Sequence, residues 1–294
     1  MRGLMLILLL ALLAAPAFAA CPPEGQTRES LQALKLLKFT VPDAVERQTL
    51  ANGLLDCLGD PDPTLRDGIA YEALTQWMRA DQLDVEGLRA LRDGLYAMLT
   101  ADDATGFARP FAALTLSEVA RTDRIKPWMT SEERAAMVDA AGKYVESVRD
   151  YRGFDDTEGW RHGVAHGADW LMQMALNPVL DRAQLDRILA AVATQVVPGT
   201  SHAYVFGEPG RLARPVMYAA KRGLHTEAEW QAWFTALVPK LGEAAKAYND
   251  AAWLARRHDL MAFLMSVYLE ADQSDDTQLK QLKPAVVAAL KAVP

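Results

Sequence analysis

Basic residues are too few in this 294-residue chain to offset its acids: 31 Lys and Arg stand against 38 Asp and Glu, a formal charge of −7. Without a basic stripe, the sequence excludes a nucleic-acid partner and gives an anionic membrane surface nothing to hold. Cysteine is scarcer still. Cys21 and Cys57 stand far from any histidine, which argues against a zinc site built on thiolates. Period-two alternation is missing, and with it any Gly-rich phosphate loop following a strand. Ser117, Ser147, Ser201 and Thr157 lack a nucleophile-elbow context. Long apolar runs are confined to the N-terminus, so no second membrane span follows.

That N-terminal run has three parts. Arg2 is the positive region, Leu4 to Ala15 the apolar region, and Ala17-Phe18-Ala19 the small-residue cleavage site before Ala20. Residues 1–19 read as a signal peptide that sends the protein to the periplasm or out of the cell. A lipoprotein acylated at Cys21 is the minor alternative, since Phe18 fits poorly where an aliphatic residue is expected. In an oxidising compartment, Cys21 and Cys57 are expected to form a disulfide. Residues 20–294 are expected to form one domain.

Most of what remains has helical spacing. Leu31, Leu34, Leu36 and Leu37, then Leu50, Leu54, Leu55 and Leu58, recur three and four apart. Asp60-Pro61-Asp62-Pro63 breaks the chain, and Asp62 or Thr64 can cap a helix to about residue 80. Further helices are predicted near 84–100, 108–121, 131–149, 159–176, 181–196, 208–222, 226–247, 250–271 and 276–292. Thr130 or Ser131 with Glu133, and Thr226 with Glu229, look like helix starts. The fold class is all-α: antiparallel helix pairs in a HEAT-like superhelix, or else an α/α toroid.

The densest chemistry lies at Gly159-Trp160-Arg161-His162-Gly163-Val164-Ala165-His166-Gly167-Ala168-Asp169-Trp170. On a helix, His162, His166 and Asp169 fall at roughly 0°, 40° and −20° around the axis, on one face. Such a face can ligate zinc, with Glu208 or Asp155 completing the site. It can also serve acid/base chemistry or bind a ligand, or be a polar core satisfied by neighbouring helices. No Glu follows His162 as it would in HExxH metalloproteases. Gly163 and Gly167 share a stripe, suited to close helix packing or to ligand room. Arg66, Arg109, Arg152 and Arg211 stand beside Asp67, Asp103, Asp150 and Glu208; each either pairs with its acid or holds an anionic ligand. Asp123-Arg124, Arg256-Arg257 and the acidic 272–276 run read as solvated surface. Trp230, Trp233, Trp253 and Tyr248 read as core, and Asp155-Asp156 with Glu158 is the carboxylate cluster nearest the histidines.

Several blocks together are similar to a bacterial family named domain of unknown function 2785. They are Asp60-Pro61-Asp62-Pro63-Thr64-Leu65-Arg66-Asp67-Gly68-Ile69-Ala70-Tyr71, Phe107-Ala108-Arg109-Pro110-Phe111-Ala112-Ala113-Leu114, Asp150-Tyr151-Arg152-Gly153-Phe154, the histidine stretch, and Gly207-Glu208-Pro209-Gly210-Arg211-Leu212-Ala213. The resemblance covers about 55–220, leaving a C-terminal helical extension. It implies an all-helical superhelical domain and brings no activity. Pro110 and Arg161 depart from the family's usual small polar residue and alanine.

From residues alone, the first expectation is a binding protein for a small ligand or protein partner. Its concave face would use Arg66, Arg109, Arg152, Trp160 and Arg211. The alternative is a metal-assisted or acid/base hydrolase using His162, His166, Asp169 and Glu208. No cofactor motif is present, zinc being the ion the histidine face would suit.

Overall fold

The computed structural model describes residues 21–294; the signal peptide expected over 1–19 lies outside the described residues. The chain is mostly helical. Its first helices are α1 (Arg28–Leu36), α2 (Ala44–Gly53), the short α3 (Pro63–Leu65), α4 (Glu72–Arg79) and α5 (Val85–Thr100). Next come α6 (Ala108–Ile125), α7 (Ser131–Ser147), α8 (Gly163–Ala175), α9 (Arg182–Val196) and α10 (Glu208–Lys221). The last are α11 (Glu227–Thr235), α12 (Ala251–Gln273), α13 (Thr277–Lys280) and α14 (Leu282–Ala292). Among the described residues, strand is confined to a hairpin of β1 (Phe154–Asp155) and β2 (Gly159–Trp160). No helix described is long and apolar enough to cross a membrane.

Local chemistry starts these helices where the sequence pointed. Thr130 and Thr226 each close a capping box, with Glu133 and Glu229, and Asp62 caps Pro63. Between α3 and α4 the backbone widens into a π-helical turn, Arg66–Tyr71. Two predicted elements differ. The 226–247 helix stops at Thr235 and gives way to 3-10 turns at Val238–Leu241 and Ala244–Lys246. The 159–176 helix starts only at Gly163, because the preceding residues form the hairpin.

Alternate helices make two rows. In one row α4 packs on α6, α6 on α8, α8 on α10 and α10 on α12; in the other, α7 packs on α9. The contacts of α6, α8 and α10 show that they run parallel. Pro110 at the start of α6 meets His166, whereas Arg124 near its end meets Gln173. Glu208 at the start of α10 lies against His162, which caps α8. Leucine, alanine and aromatic side chains fill the space between rows, including the fully buried Trp77, Trp170 and Trp253. Burial of such surface contributes roughly 25 cal/mol per Å². Leu50, Leu54 and Leu58 belong to this core, but Leu36 and Leu37 stand exposed at the end of α1. Trp230 is also buried, whereas Tyr248 lies on the surface.

Gly167 settles the question its stripe raised. A Cβ there would sit 2.6 Å from Val145 Cγ2 and 2.9 Å from Tyr144 Cε1, and the Tyr144 hydroxyl donates to the Gly163 carbonyl at 3.2 Å. The glycines let α7 approach α8. Cys21 and Cys57 are bonded to each other, tying the start of the described chain to the 3-10 turn Asp56–Gly59.

Candidate functional site

The hairpin decides where the histidines sit. Asp155 accepts hydrogen bonds from the Thr157 and Glu158 amides at 2.8 and 2.9 Å, and Gly159 takes φ +76°, so the chain reverses over 156–158. Pairing continues past the strands: the Arg161 amide donates to the Gly153 carbonyl and the His162 amide to the Arg152 carbonyl. His162 therefore precedes α8 instead of riding on it, in the left-handed conformation at φ 55°, ψ 38°. That conformation costs a non-glycine residue on the order of 1 kcal/mol. The predicted helical phase of His162 is thus incorrect. The two imidazoles nonetheless meet, with ring centroids 5.8 Å apart, because the left-handed turn folds His162 back over the first turn of α8.

His162 is stacked under Trp160, centroids 4.6 Å apart, and only 7% exposed, while Trp160 itself is 37% exposed. Phe154 and Phe206 pack on Trp160 at 5.0 and 5.8 Å. His162 Nε2 has no hydrogen-bond partner; the nearest acid oxygen, Glu208 Oε1, is 3.6 Å away, beyond ordinary hydrogen-bond reach. The other Glu208 oxygen accepts from the Phe206 amide at 2.9 Å. Burial, reinforced by the nearby Arg211 charge, lowers the His162 pKa to about 4, so its imidazole is neutral at pH 7. Burial also raises the Glu208 carboxyl above the usual range. His166 lies deeper, its Nδ1 3.2 Å from the Pro110 carbonyl and its ring edge-on to Phe111 at 5.3 Å. Burial first, then His162 and Arg211, drive its pKa well below the ordinary value.

Asp169 points elsewhere. Its two oxygens take a fork from Arg211, Nε to Oδ1 at 2.7 Å and Nη2 to Oδ2, and Arg214 Nη1 stands 3.9 Å off. Arg211 was expected to pair with Glu208; it pairs with Asp169 instead, since both project between α8 and α10. Among the described residues, no group of three or more His, Cys, Asp and Glu side chains is placed to hold a metal ion. The His162, His166, Asp169 and Glu208 set does not fit zinc. Asp155 is spent on its own turn.

The remaining arginines divide. Arg66 is fully buried. It donates to the Asp60, Pro61 and Glu158 carbonyls, pairs with Asp67 at 2.8 Å, and its guanidinium lies 3.9 Å from the Phe107 ring centre. It joins the π-turn to the hairpin and presents nothing to solvent. Arg152 pairs with Asp150 as expected, at 2.5 Å. Arg109 donates to the Ala101 carbonyl, and only its backbone amide reaches the Asp103 carboxylate. Arg109 and Asp150 line a cavity of about 300 Å³ together with Asp103, Tyr144 and Gly163. A larger cavity, about 760 Å³, is bounded by residues 40–48, 81–88 and 122–128 and contains none of these side chains.

Several buried polar residues went unrecognised in the sequence. Asp123 is not solvated: it is 1% exposed and takes a fork from Arg134, the Trp128 and Met129 amides, and Asn177 Nδ2. Glu118 is buried against Arg79. Asp259, fully buried, accepts from the Tyr204 amide, leaves Oδ2 without a partner, and has its pKa raised to about 6 by burial. The Asp-Asp-Thr-Glu-Gly turn signal could have revealed the hairpin; nothing in the local sequence marks Glu118 or Asp259.

The family model described as "Protein of unknown function (DUF2785)" matches residues 95–269. The chain belongs to this family. The match runs from within α5 to within α12, so it begins and ends later than the motif blocks, and it includes the hairpin, both histidines and Arg211. No curated protein is significantly similar in sequence. A crystal structure described as an engineered protein is 14% identical over 92% of this chain and 72% of its own, with a TM-score of 0.38. A score that low carries no argument about the fold.

Proposed function

We propose that residues 20–294 form one exported domain that binds a small ligand, without turning it over, on the concave side of a superhelix. That side is the row of α4, α6, α8 and α10, and the site is centred on Trp160, His162, Glu208 and Arg211. One observation carries the reading: His162 is held in a costly left-handed conformation with a buried Nε2 that no protein atom satisfies. Backbone strain and an orphaned polar atom in one residue are characteristic of sites that a guest completes. Trp160 supplies a half-exposed aromatic lid, and Arg211 a partly exposed charge near His162. The disulfide suits an oxidising compartment.

A metabolite library screened by thermal shift tests this. Compounds that stabilise the native chain should lose most of that stabilisation in Trp160→Ala and His162→Phe. Hits that stabilise both variants equally, or a library without hits, would count against the site. Intact mass of protein recovered after export should begin at Ala20; retention of residues 1–19 would remove the exported assignment.

A hydrolase reading keeps one supporting feature. A carboxyl raised by burial beside a neutral imidazole can exchange a proton with a bound substrate. Glu208 is then the acid and His162 the base, while Asp169 drops out because Arg211 engages both its oxygens and His166 because its ring is buried with Nδ1 against the Pro110 carbonyl. Turnover of any ligand found, abolished in Glu208→Gln, would decide for it.

A further inference from the structure

The row that carries the proposed site continues along α6, α8 and α10 into a set of arginines that this acidic chain leaves under-neutralised. Each step is a side-chain contact. Arg79 of α4 forks onto Glu118 of α6 at 2.6 and 2.8 Å; Arg124 of α6 reaches Gln173 Oε1 of α8 at 3.2 Å; Asp169 of α8 receives Arg211 and faces Arg214 of α10. Asp169 and Gln173 are one turn apart on α8, as Glu118 and Arg121 are on α6 and Arg211 and Arg214 on α10, so the contacts share one face.

The charges on this face do not balance. Arg79, Arg121, Arg124, Arg211 and Arg214 carry five positive charges, against Glu118 and Asp169. Among the described residues, neither Arg121 nor Arg124 has a carboxylate within 4 Å, and Arg211 and Arg214 share one. Acids outnumber bases over the whole chain, so pairing partners were available. Burial, and after it the Arg121 charge, weakens the hold of Arg124 on its proton; burial and then Arg214 do the same to Arg211. Like charges gathered on a partly desolvated face raise the energy of the free protein, and an oxyanion relieves that cost through forked, charge-assisted hydrogen bonds.

We infer that the face bearing Arg121, Arg124, Arg211 and Arg214 binds a compact ligand carrying two or more oxyanion groups, of the polyphosphate or polycarboxylate kind. This rests on reading the same helix row as the binding face and names its ligand class. The arginines would hold the acidic groups.

Calorimetric titration at low salt with inorganic pyrophosphate, and separately with citrate, tests it. We expect saturable one-to-one binding of at least one probe, weakened at least tenfold in Arg124→Gln/Arg214→Gln and unchanged in Arg257→Gln, an arginine of α12 that contacts Pro294 and Tyr248 instead. The better probe assigns phosphate or carboxylate chemistry. Raising salt should weaken wild-type binding steeply, which tests the charge argument with no substitution involved. Binding of neither probe, equal loss in Arg257→Gln, or indifference to salt would overturn the inference, as would a hexaglutamate peptide binding where both small anions fail. Trp160→Ala separates the two proposals. Pyrophosphate or citrate binding that survives it would leave the oxyanion site standing and remove Trp160 and His162 from it.

Discussion

Replacing Arg211 by leucine isolates the charge pair that holds α10 to α8. Asp169 keeps only about a tenth of its side chain exposed, and the substitution removes both arms of its fork, leaving Arg214 at 3.9 Å. Stranding a buried carboxylate costs about 3–5 kcal/mol when nothing else reaches it. Two features reduce that figure: the Arg211 side chain is 29% exposed, and Arg214 can move closer. We therefore expect a loss of about 2–3 kcal/mol in urea unfolding. In a chain of this size that is a melting temperature lower by roughly 3–5 °C. Asp169→Leu/Arg211→Leu should recover part of the loss, since no charge is then left buried, giving a coupling of about 1.5 kcal/mol or more. A second readout is independent of stability. Arg211 helps hold the His162 pKa near 4, so its removal should raise that pKa toward 6.5 in an NMR titration. A single-variant loss below about 0.5 kcal/mol, or strictly additive substitutions, would refute the pair as a buried anchor.

Reduction of the disulfide, which spans 36 residues, should lower stability by about 4 kcal/mol on the loop-entropy model, visible as a lower melting temperature in reductant and in Cys21→Ser. Equal melts with and without reductant would contradict this. His162 has a folded-state pKa below its unfolded value, so the stability tied to its neutral form is complete above pH 6.5 and lost as pH falls toward about 4; urea midpoints against pH should show this slope, flattened in His162→Phe. Asp259 has the opposite sign: its carboxyl is raised to about 6, so the folded state holds a proton the unfolded state has released, and stability falls as pH rises from about 4 to 6. Asp259→Asn should remove that fall and leave the variant no less stable than the native chain at pH 7.5, as urea midpoints at the two pH values would show. Gly167→Ala should cost about 1–2 kcal/mol, since the clash with Val145 and Tyr144 exceeds the helix-propensity gain of about 1 kcal/mol.

The all-α class, the capped starts at Thr130 and Thr226, the break at 60–63 and the neighbourhood of His162 and His166 were legible in the chain. Each rests on spacing or on contacts within a few residues, which a linear pattern records. The hairpin was missed because two-residue strands leave no alternation to detect, although its turn residues were visible. The pairing of Arg211 with Asp169 instead of Glu208 was hidden for another reason: the two are 42 residues apart, and which helices lie side by side is decided by packing.

By itself, then, the sequence determined most of the helices and several of their capped starts, and it marked the region of the candidate site, since hydrogen-bonding periodicity, capping and turn chemistry act over short stretches. Tertiary structure alone decided that His162 turns back beneath Trp160 with Nε2 unsatisfied, that Asp123, Glu118 and Asp259 are buried, and that arginines dispersed over three helices meet on one face of an acidic protein. The meeting of the arginines depends on the parallel packing of α6, α8 and α10. That packing brings side chains 42 to 56 residues from their partners within hydrogen-bond reach, a juxtaposition that no local pattern in the chain encodes.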